Sequence, residues 1–296
     1  MRPFATPNSP TMGVTMRHPG SLQLPAPLLL ALAMGVTGCG YDAKELSYDP
    51  AIGHDGTFFF YEPKSDTART DRPAILAIHG GGFRAGDKAW ADQFAKEFCP
   101  RGYVVFSINY RLATQPNVKW PAQIEDVQKA LRHIRANARR FRIAPDRIAS
   151  LGLSAGGHLA TMVALRDDPA DSGGRVRVAV NLAGQSDLTQ PPPQNSNELL
   201  INITGHPGPW SDAELRDIST VTFARPDVSV LTIHGAGDDD VSVAQGDRLT
   251  AALRAKGADT EFIRLEGKEG NCHWNCWKVP RAREALHRFL ARKLGT

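Results

Sequence analysis

The chain has 296 residues, too long for one small domain and comfortable for a single large α/β domain. Hydrophobic residues make up 42% of it, enough to bury a full core. Lys and Arg number 35 against 31 Asp and Glu, and the net charge of +4 is spread in mixed order, which excludes a nucleic-acid track and reads as a solvated surface.

Residues 1–40 read as lying outside the fold. Arg17 and His18 precede an apolar run over residues 28–34, followed by Val36, Thr37, Gly38 and Cys39. A basic start, a short apolar segment and small residues make an export signal. The run is too short and too proline-flanked for a spanning helix. Val36 to Cys39 also resembles the lipobox of bacterial lipoprotein signals. That resemblance implies a signal peptide over 1–38, a folded domain over 39–296, and lipid on Cys39 that tethers the protein to a membrane. Gly40 is not the aspartate that commonly retains such proteins at the inner membrane, so an outer membrane is expected where the cell has one. Met12 and Met16 are alternative starts. The compartment is then oxidising.

From Phe58 onward strands and helices alternate. Residues 58–61 read as an edge strand. Residues 74–78 are a continuous apolar strand, as in a sheet covered on both faces. A helix follows over 88–98, with Trp90, Phe94 and Phe98 on one side. The next strand is 103–108. Over 121–138, Ile124, Val127, Leu131 and Ile134 recur at helical spacing. A strand at 147–151 leads into a helix at 155–166, and another strand follows at 176–180. Residues 185–227 break the rhythm. They contain Pro191, Pro192, Pro193, Gly205, Pro207 and Pro209, with a short helix near 212–218. They read as a lid-like insertion, a small lid or substrate wall over the top of the sheet. A strand at 228–233, a helix at 243–256, a strand at 261–265 and a helix at 280–294 complete the chain. Pro280 suits the first turn of the last helix. Such alternation predicts a mainly parallel sheet with helices on both faces. Sites in such sheets lie beyond the carboxyl ends of the strands.

Two motifs sit at strand ends. Gly152, Leu153, Ser154, Ala155 and Gly156 form Gly-x-Ser-x-Gly between a strand and a helix. A serine there sits on a sharp, strained turn with its hydroxyl raised above the sheet. The glycines avoid clashes, and the helix end favours developing negative charge. His79, Gly80, Gly81, Gly82 and Phe83 follow the strand at 74–78. Three glycines let the backbone approach a substrate and turn N–H groups inward. The expected oxyanion donors are the N–H groups of Gly81, Gly82 and Ala155. A P-loop would need Gly-Lys-Ser/Thr after its spacer, but Asp87 and Lys88 follow Gly86. A dinucleotide site would need an acid at the end of the next strand, where Asn109 stands.

Ser154 needs a base, and in hydrolases with this turn the chain order is Ser, then acid, then His. His206 lies in the insertion and comes too early. His287 sits inside the last helix. His234 ends a strand, but the acid would still have to precede it. His273 follows the last strand and falls on the same rim as Ser154, so it is the expected base. The acid belongs after the preceding strand, where Asp238 stands four residues past His234. Asp239 and Asp240 are alternates that read better as a solvated turn.

These pieces, with Asn109 to Leu112, Pro121, Ala122 and Asp126, resemble the α/β-hydrolase fold. The likeness is to the esterase groups related to hormone-sensitive lipase and to carbohydrate-ester esterases. It covers about residues 73–275. The resemblance implies an ester hydrolase with Ser154, Asp238 and His273 as catalytic triad and a small-molecule ester as substrate. It needs no metal or cofactor. It also implies that Arg111 and Asp126 form a structural ion pair. The loop from Gly270 to Cys276 departs from the family pattern, which has small residues and no cysteines there. Cys272 and Cys276 are four apart, a spacing that a disulfide can span, and their pairing would brace His273. Cys99 reads as a buried small hydrophobe. The same apparatus can cleave amides, and a scaffold that lost a triad member would be a binding module. Here all three triad positions have candidates.

Overall fold

The computed structural model describes residues 41–64, 68–170, 173–190 and 196–295. The export segment, the lipobox and Cys39 therefore lie outside the described residues, as do Pro191, Pro192 and Pro193.

Eight strands form one sheet: β1 (Tyr41–Ser47), β2 (Thr57–Pro63), β3 (Arg72–Ile78), β4 (Val104–Ile108), β5 (Ile143–Leu153), β6 (Val178–Leu182), β7 (Ser229–Gly235) and β8 (Asp259–Leu265). Their spatial order is β1-β2-β4-β3-β5-β6-β7-β8. Pairing is parallel from β4 through to β8, and antiparallel for β1 with β2 and for β2 with β4. The mainly parallel α/β sheet is the expected one. β3 is buried at every position, as a strand covered on both faces must be.

The helices are α1 (Asp92–Phe98), α2 (Ala122–Ala136), α3 (Ala138–Phe141), α4 (Ala155–Leu165), α5 (Ser196–Thr204), α6 (Asp212–Asp217), α7 (Ala244–Ala255), α8 (Gly267–Gly270) and α9 (Pro280–Leu294). Two apolar clusters flank the sheet. One holds Leu76, Phe106, Ile124, Leu131, Leu159 and Leu249 from β3, β4, α2, α4 and α7. The other holds Ile75, Phe94, Val105, Leu151, Leu286 and Phe289 from the opposite face, α1 and α9. Trp277 packs against Phe94 at 4.7 Å and ties the segment after β8 into that second cluster.

Three expectations need correction. The strand at 58–61 is not the edge, because β1 pairs outside it over seven residues. Phe58, Phe60 and Tyr61 are consequently buried. The expected helix over 88–98 begins with a 3-10 turn at Lys88–Ala91, capped by the Asp87 carboxylate accepting from Ala89 N–H. β5 also starts earlier than expected, at Ile143, with a register shift against β3 between Arg72 and Ala74.

The segment from 185 to 227 contains α5 and α6, of which only α6 was expected. α6 opens with a capping box in which the Ser211 and Glu214 side chains satisfy each other's backbone N–H groups. The segment is fastened to the body at several points. Trp120 donates its N–H to Ile203 O at 2.7 Å and its indole N–H to Asp217 at 2.7 Å. The Gln245 carbonyl accepts from Ser186 and Asp187 N–H groups, each at 2.7 Å. Buried His158, from the serine motif, places Nε2 2.8 Å from Ile218 O, and burial lowers its pKa to about 4.

Candidate active site

The turn from β5 into α4 is built around Ser154, which has φ 54° and ψ −121°. That is a left-handed conformation that a side chain adopts only under strain. Two flanking positions must be glycine. A Cβ on Gly152 would stand 2.1 Å from Gly156 O, and one on Gly156 would stand 2.2 Å from Ile78 O. Ser154 N–H donates to Leu182 O at 2.9 Å, and Ser154 O accepts from His158 N–H at 2.9 Å, so both peptide groups of the turn are held. Ala155 begins α4, whose first N–H groups have no partner within the helix.

The glycine loop after β3 lies against this turn. A Cβ on Gly80 would stand 2.7 Å from Leu153 O and 3.3 Å from the Ser154 Cβ. Gly81 and Gly82 have φ of 115° and 58°, so the loop leaves the strand by a path that favours glycine. His79 is buried and stacked on Tyr110, with ring centroids 4.4 Å apart, and its Nδ1 lies 2.8 Å from Gly80 O. Burial lowers its pKa to about 4, so at neutral pH it is an uncharged prop for the loop. From the far side, Asn202 on α5 donates to Gly82 O at 3.2 Å, and Arg84 pairs with Glu198 on the same helix.

β7 ends in His234 and Gly235, and the turn after it presents Asp238. Its side chain is fully buried and accepts three hydrogen bonds, with the His234 ring close beside it. Oδ1 takes the N–H groups of Asp240 and Val241, each at 2.9 Å. Oδ2 lies 2.7 Å from His273 Nδ1 and 3.3 Å from His234 Nε2. Burial alone would raise the pKa of Asp238. The bonds from His234, His273 and Val241 outweigh it and hold the carboxyl well below the usual range. Asp239 and Asp240 are exposed, as a solvated turn should be.

His273 follows β8 and α8, and its side chain is 7% exposed. Cys272 and Cys276 on either side of it are disulfide-bonded, with Cα atoms 5.3 Å apart. Cys276 is buried, while Gly235 leaves room at the end of β7 for Cys272, since a Cβ there would meet Cys272 Sγ at 3.1 Å. The ring of His273 is therefore held by Asp238 on one side and by a closed five-residue loop beneath. Reducing the bond, or replacing both cysteines by alanine, is expected to lower kcat roughly tenfold by loosening the imidazole. Turnover measured with and without reductant checks this, and a rate unaffected by reduction would show that the loop needs no clasp.

Ser154, Gly81, Gly82, Asp238 and His273 line one cavity of about 970 Å³. The rest of the wall includes Gln185, Leu188, Asn202, Arg248 and the exposed Trp274. The segment from 185 to 227 thus supplies part of the cavity wall. Arg111 and Asp126 lie elsewhere and form a bidentate pair, with contacts of 2.7 to 3.0 Å. Asn109 is structural, accepting from Lys88 N–H at 2.6 Å.

Sequence reasoning missed one member of the site. His234 was set aside as a base, and it supports the acid instead: Nε2 lies 2.8 Å from Val241 O as well as near Asp238. Among the described residues, Asp238, Asp240 and His273 form a group whose ligand atoms lie within 4.8 Å of one another. Asp238 and His273 already bond each other. That leaves one imidazole nitrogen and one exposed carboxylate, short of the four ligands of a closed zinc site.

The BD-FAE family profile matches residues 60–253. Esterase LipQ of Mycobacterium tuberculosis is 32% identical over 206 residues, 64% of this chain and 47% of that protein. The chain spans about half the length of the curated relatives it matches. Among solved structures, a truncated carbohydrate esterase from gut microbiota superposes with a TM-score of 0.75 at 23% identity, covering 85% of this chain and 95% of that one. A bifunctional GH43-CE protein of Bacteroides eggerthii superposes with a TM-score of 0.75 at 26% identity, covering 85% of this chain and 35% of that one.

Proposed function

The chain belongs to the BD-FAE family of α/β-hydrolase esterases, and from that membership we propose that it is a serine carboxylic-ester hydrolase using Ser154, His273 and Asp238. The observation that carries the reading is the 2.7 Å contact of His273 Nδ1 with buried Asp238, in the cavity that Ser154 also lines. Asp238 keeps the imidazole proton on Nδ1 and leaves Nε2 to act as base. Ser154 Oγ attacks the ester carbonyl and its proton passes to Nε2. The carbonyl oxygen becomes an oxyanion facing the N–H groups of Gly81, Gly82 and Ala155. Collapse expels the alcohol, which takes the proton from Nε2, and leaves an acyl ester on Ser154. Water, deprotonated by Nε2, then attacks that ester and frees the acid and Ser154.

The alcohol half of the substrate is proposed to be a carbohydrate. Trp274 is 48% exposed beside His273, with ring centroids 5.3 Å apart, and offers a flat face to a sugar ring. Gln185, Gln190, Asn202 and Arg248 supply hydroxyl partners on the facing wall.

A fluorophosphonate probe should label Ser154 once per chain, in step with loss of ester hydrolysis. Turnover that persists after Ser154 is fully labelled would overturn the triad. In a panel of simple alkyl, acetylated-sugar and feruloylated-sugar esters, the sugar esters should show the higher kcat/KM. Equal values across the panel would remove the carbohydrate assignment.

Cys39 is proposed to carry lipid that anchors the protein to the cell envelope, at the outer membrane where the cell has one. Support comes from the sequence from Val36 to Cys39, and the mass of the amino-terminal peptide reads it directly.

A further inference from the structure

Two cavities of the fold differ in charge. At the carboxyl-end rim, the cavity is lined by five carboxylates, Asp187, Glu198, Asp238, Asp239 and Asp240, against two guanidinium groups, Arg84 and Arg248. Low on the opposite flank, a second cavity of about 450 Å³ has the reverse character. Lys44, Arg139, Arg140 and Arg142 line it, with Glu62 as its one acid, over a floor that includes Leu46 and Phe60. Glu62 is already neutralised, since Arg142 donates to it from Nε at 2.7 Å and Arg72 stands 3.9 Å away. Lys44, Arg139 and Arg140 are exposed and form no ion pair among the described residues. The cleft thus keeps three unneutralised cations around an apolar floor.

Its position in the fold adds a second observation. Arg139 and Arg140 are on α3, and Arg142 directly precedes β5, at the amino end of the parallel strands. β1 begins on that same side, because Tyr41 pairs with Pro63, two residues beyond the Tyr61 that pairs with Val105 near the start of β4. Lys44 is three residues into β1, about 10 Å along it. Cys39 precedes Tyr41 by two residues, a span of about 7 Å at most. A chain held at Cys39 would bring this flank to the bilayer and leave the acidic rim facing water.

We propose that the cleft of Lys44, Arg139, Arg140 and Arg142 is a docking surface for the anionic headgroups of a phospholipid bilayer. Phosphate oxygens pair with the guanidinium and ammonium groups, and the glycerol region meets Leu46 and Phe60. The cleft itself rests on charge and shape alone. Only the outward orientation of the active site rests on the proposed lipid at Cys39.

The test uses the chain from residue 39 with Cys39→Ser, which cannot be acylated and keeps every described element. Sedimentation with phosphatidylcholine vesicles containing phosphatidylglycerol should show binding that weakens as salt rises. Vesicles of phosphatidylcholine alone should bind far less. Combining Lys44→Gln, Arg139→Gln and Arg140→Gln should lower partitioning about 100-fold, roughly fivefold per charge, with turnover of a soluble ester unchanged. Lys268→Gln with Arg216→Gln, two exposed cations near the other rim, should leave partitioning unchanged. Equal binding to both vesicle types, or a triple variant that partitions like the parent, would overturn the proposal. So would loss of oligonucleotide binding in the triple variant without any vesicle binding, which would assign the cleft to nucleic acid. Peptide mass at Cys39 in the native chain reports on acylation independently, so neither result can stand in for the other.

Discussion

Ser154→Ala is expected to lower kcat for a short-chain nitrophenyl ester by about 10⁶-fold while the protein stays folded. The hydroxyl is the only atom removed. Among the described residues the turn is held through the backbone N–H and C=O of Ser154, not through its hydroxyl. Alanine also meets the same steric demand at φ 54° that serine does, so the strain is unchanged. What disappears is the atom that forms the acyl-enzyme. The oxyanion donors and the cavity remain, so a residual rate above that in water should persist. Circular dichroism and melting temperature should match the parent, and fluorophosphonate labelling should vanish. A variant with the parent's turnover would mean that another group is the nucleophile. A variant that is inactive and unfolded would leave Gly156→Ala as its comparison. There the added Cβ meets Ile78 O at 2.2 Å, and loss of fold is the expected cause.

Much of this arrangement is legible from the chain because the central parallel strands are rich in apolar residues. Residues 74–78, 103–108 and 228–233 cannot be mistaken for amphipathic helices, and their ends mark the rim where Ser154, Asp238 and His273 fall. β1 escapes such reading because Asp42, Lys44 and Glu45 make it polar, as suits an edge that pairs on one side only. Its presence has an indirect signature. Phe58 to Tyr61 is aromatic at every position, which fits an interior strand better than an edge. α5 is hidden by its weak helical propensity and by the prolines before it, although Leu200 and Ile203 are spaced to face a core and are buried. The support of Asp238 by His234 is invisible in a linear reading. It needs the turn from Gly235 to Val241 to fold back, so that a strand-ending imidazole meets a side chain four residues on. The bond from Asn202 to Gly82 O spans 120 residues and depends wholly on where the segment from 185 to 227 settles.

Asp238→Asn is the second large effect expected, a fall in kcat of about 10⁴-fold. The carboxylate accepts from three donors, has the His234 ring 3.3 Å away, and donates nothing. An amide of the same shape keeps one accepting oxygen and turns an NH₂ toward the other pair. If the oxygen stays with Asp240 and Val241, the NH₂ faces His273 Nδ1 and His234 Nε2. His273 must then move its proton to Nε2 to accept at Nδ1, and a protonated Nε2 cannot take the proton of Ser154. The chemistry is lost through the tautomer, with the fold and Ser154 intact. The same substitution should alter the response to acid. The pKa of Asp238 is depressed in the folded protein, so its ionised form contributes stability that is fully present above the unfolded value of about 3.9. That contribution is lost as pH falls through the lower folded value. The parent should therefore lose melting temperature steeply below about pH 4, and Asp238→Asn, which has no carboxyl to protonate there, should lose less over the same interval. Parallel acid slopes for the two proteins would show that these hydrogen bonds do not hold Asp238 in its charged form. A variant that retains its kcat would show that His273 does not depend on Asp238 for its tautomer.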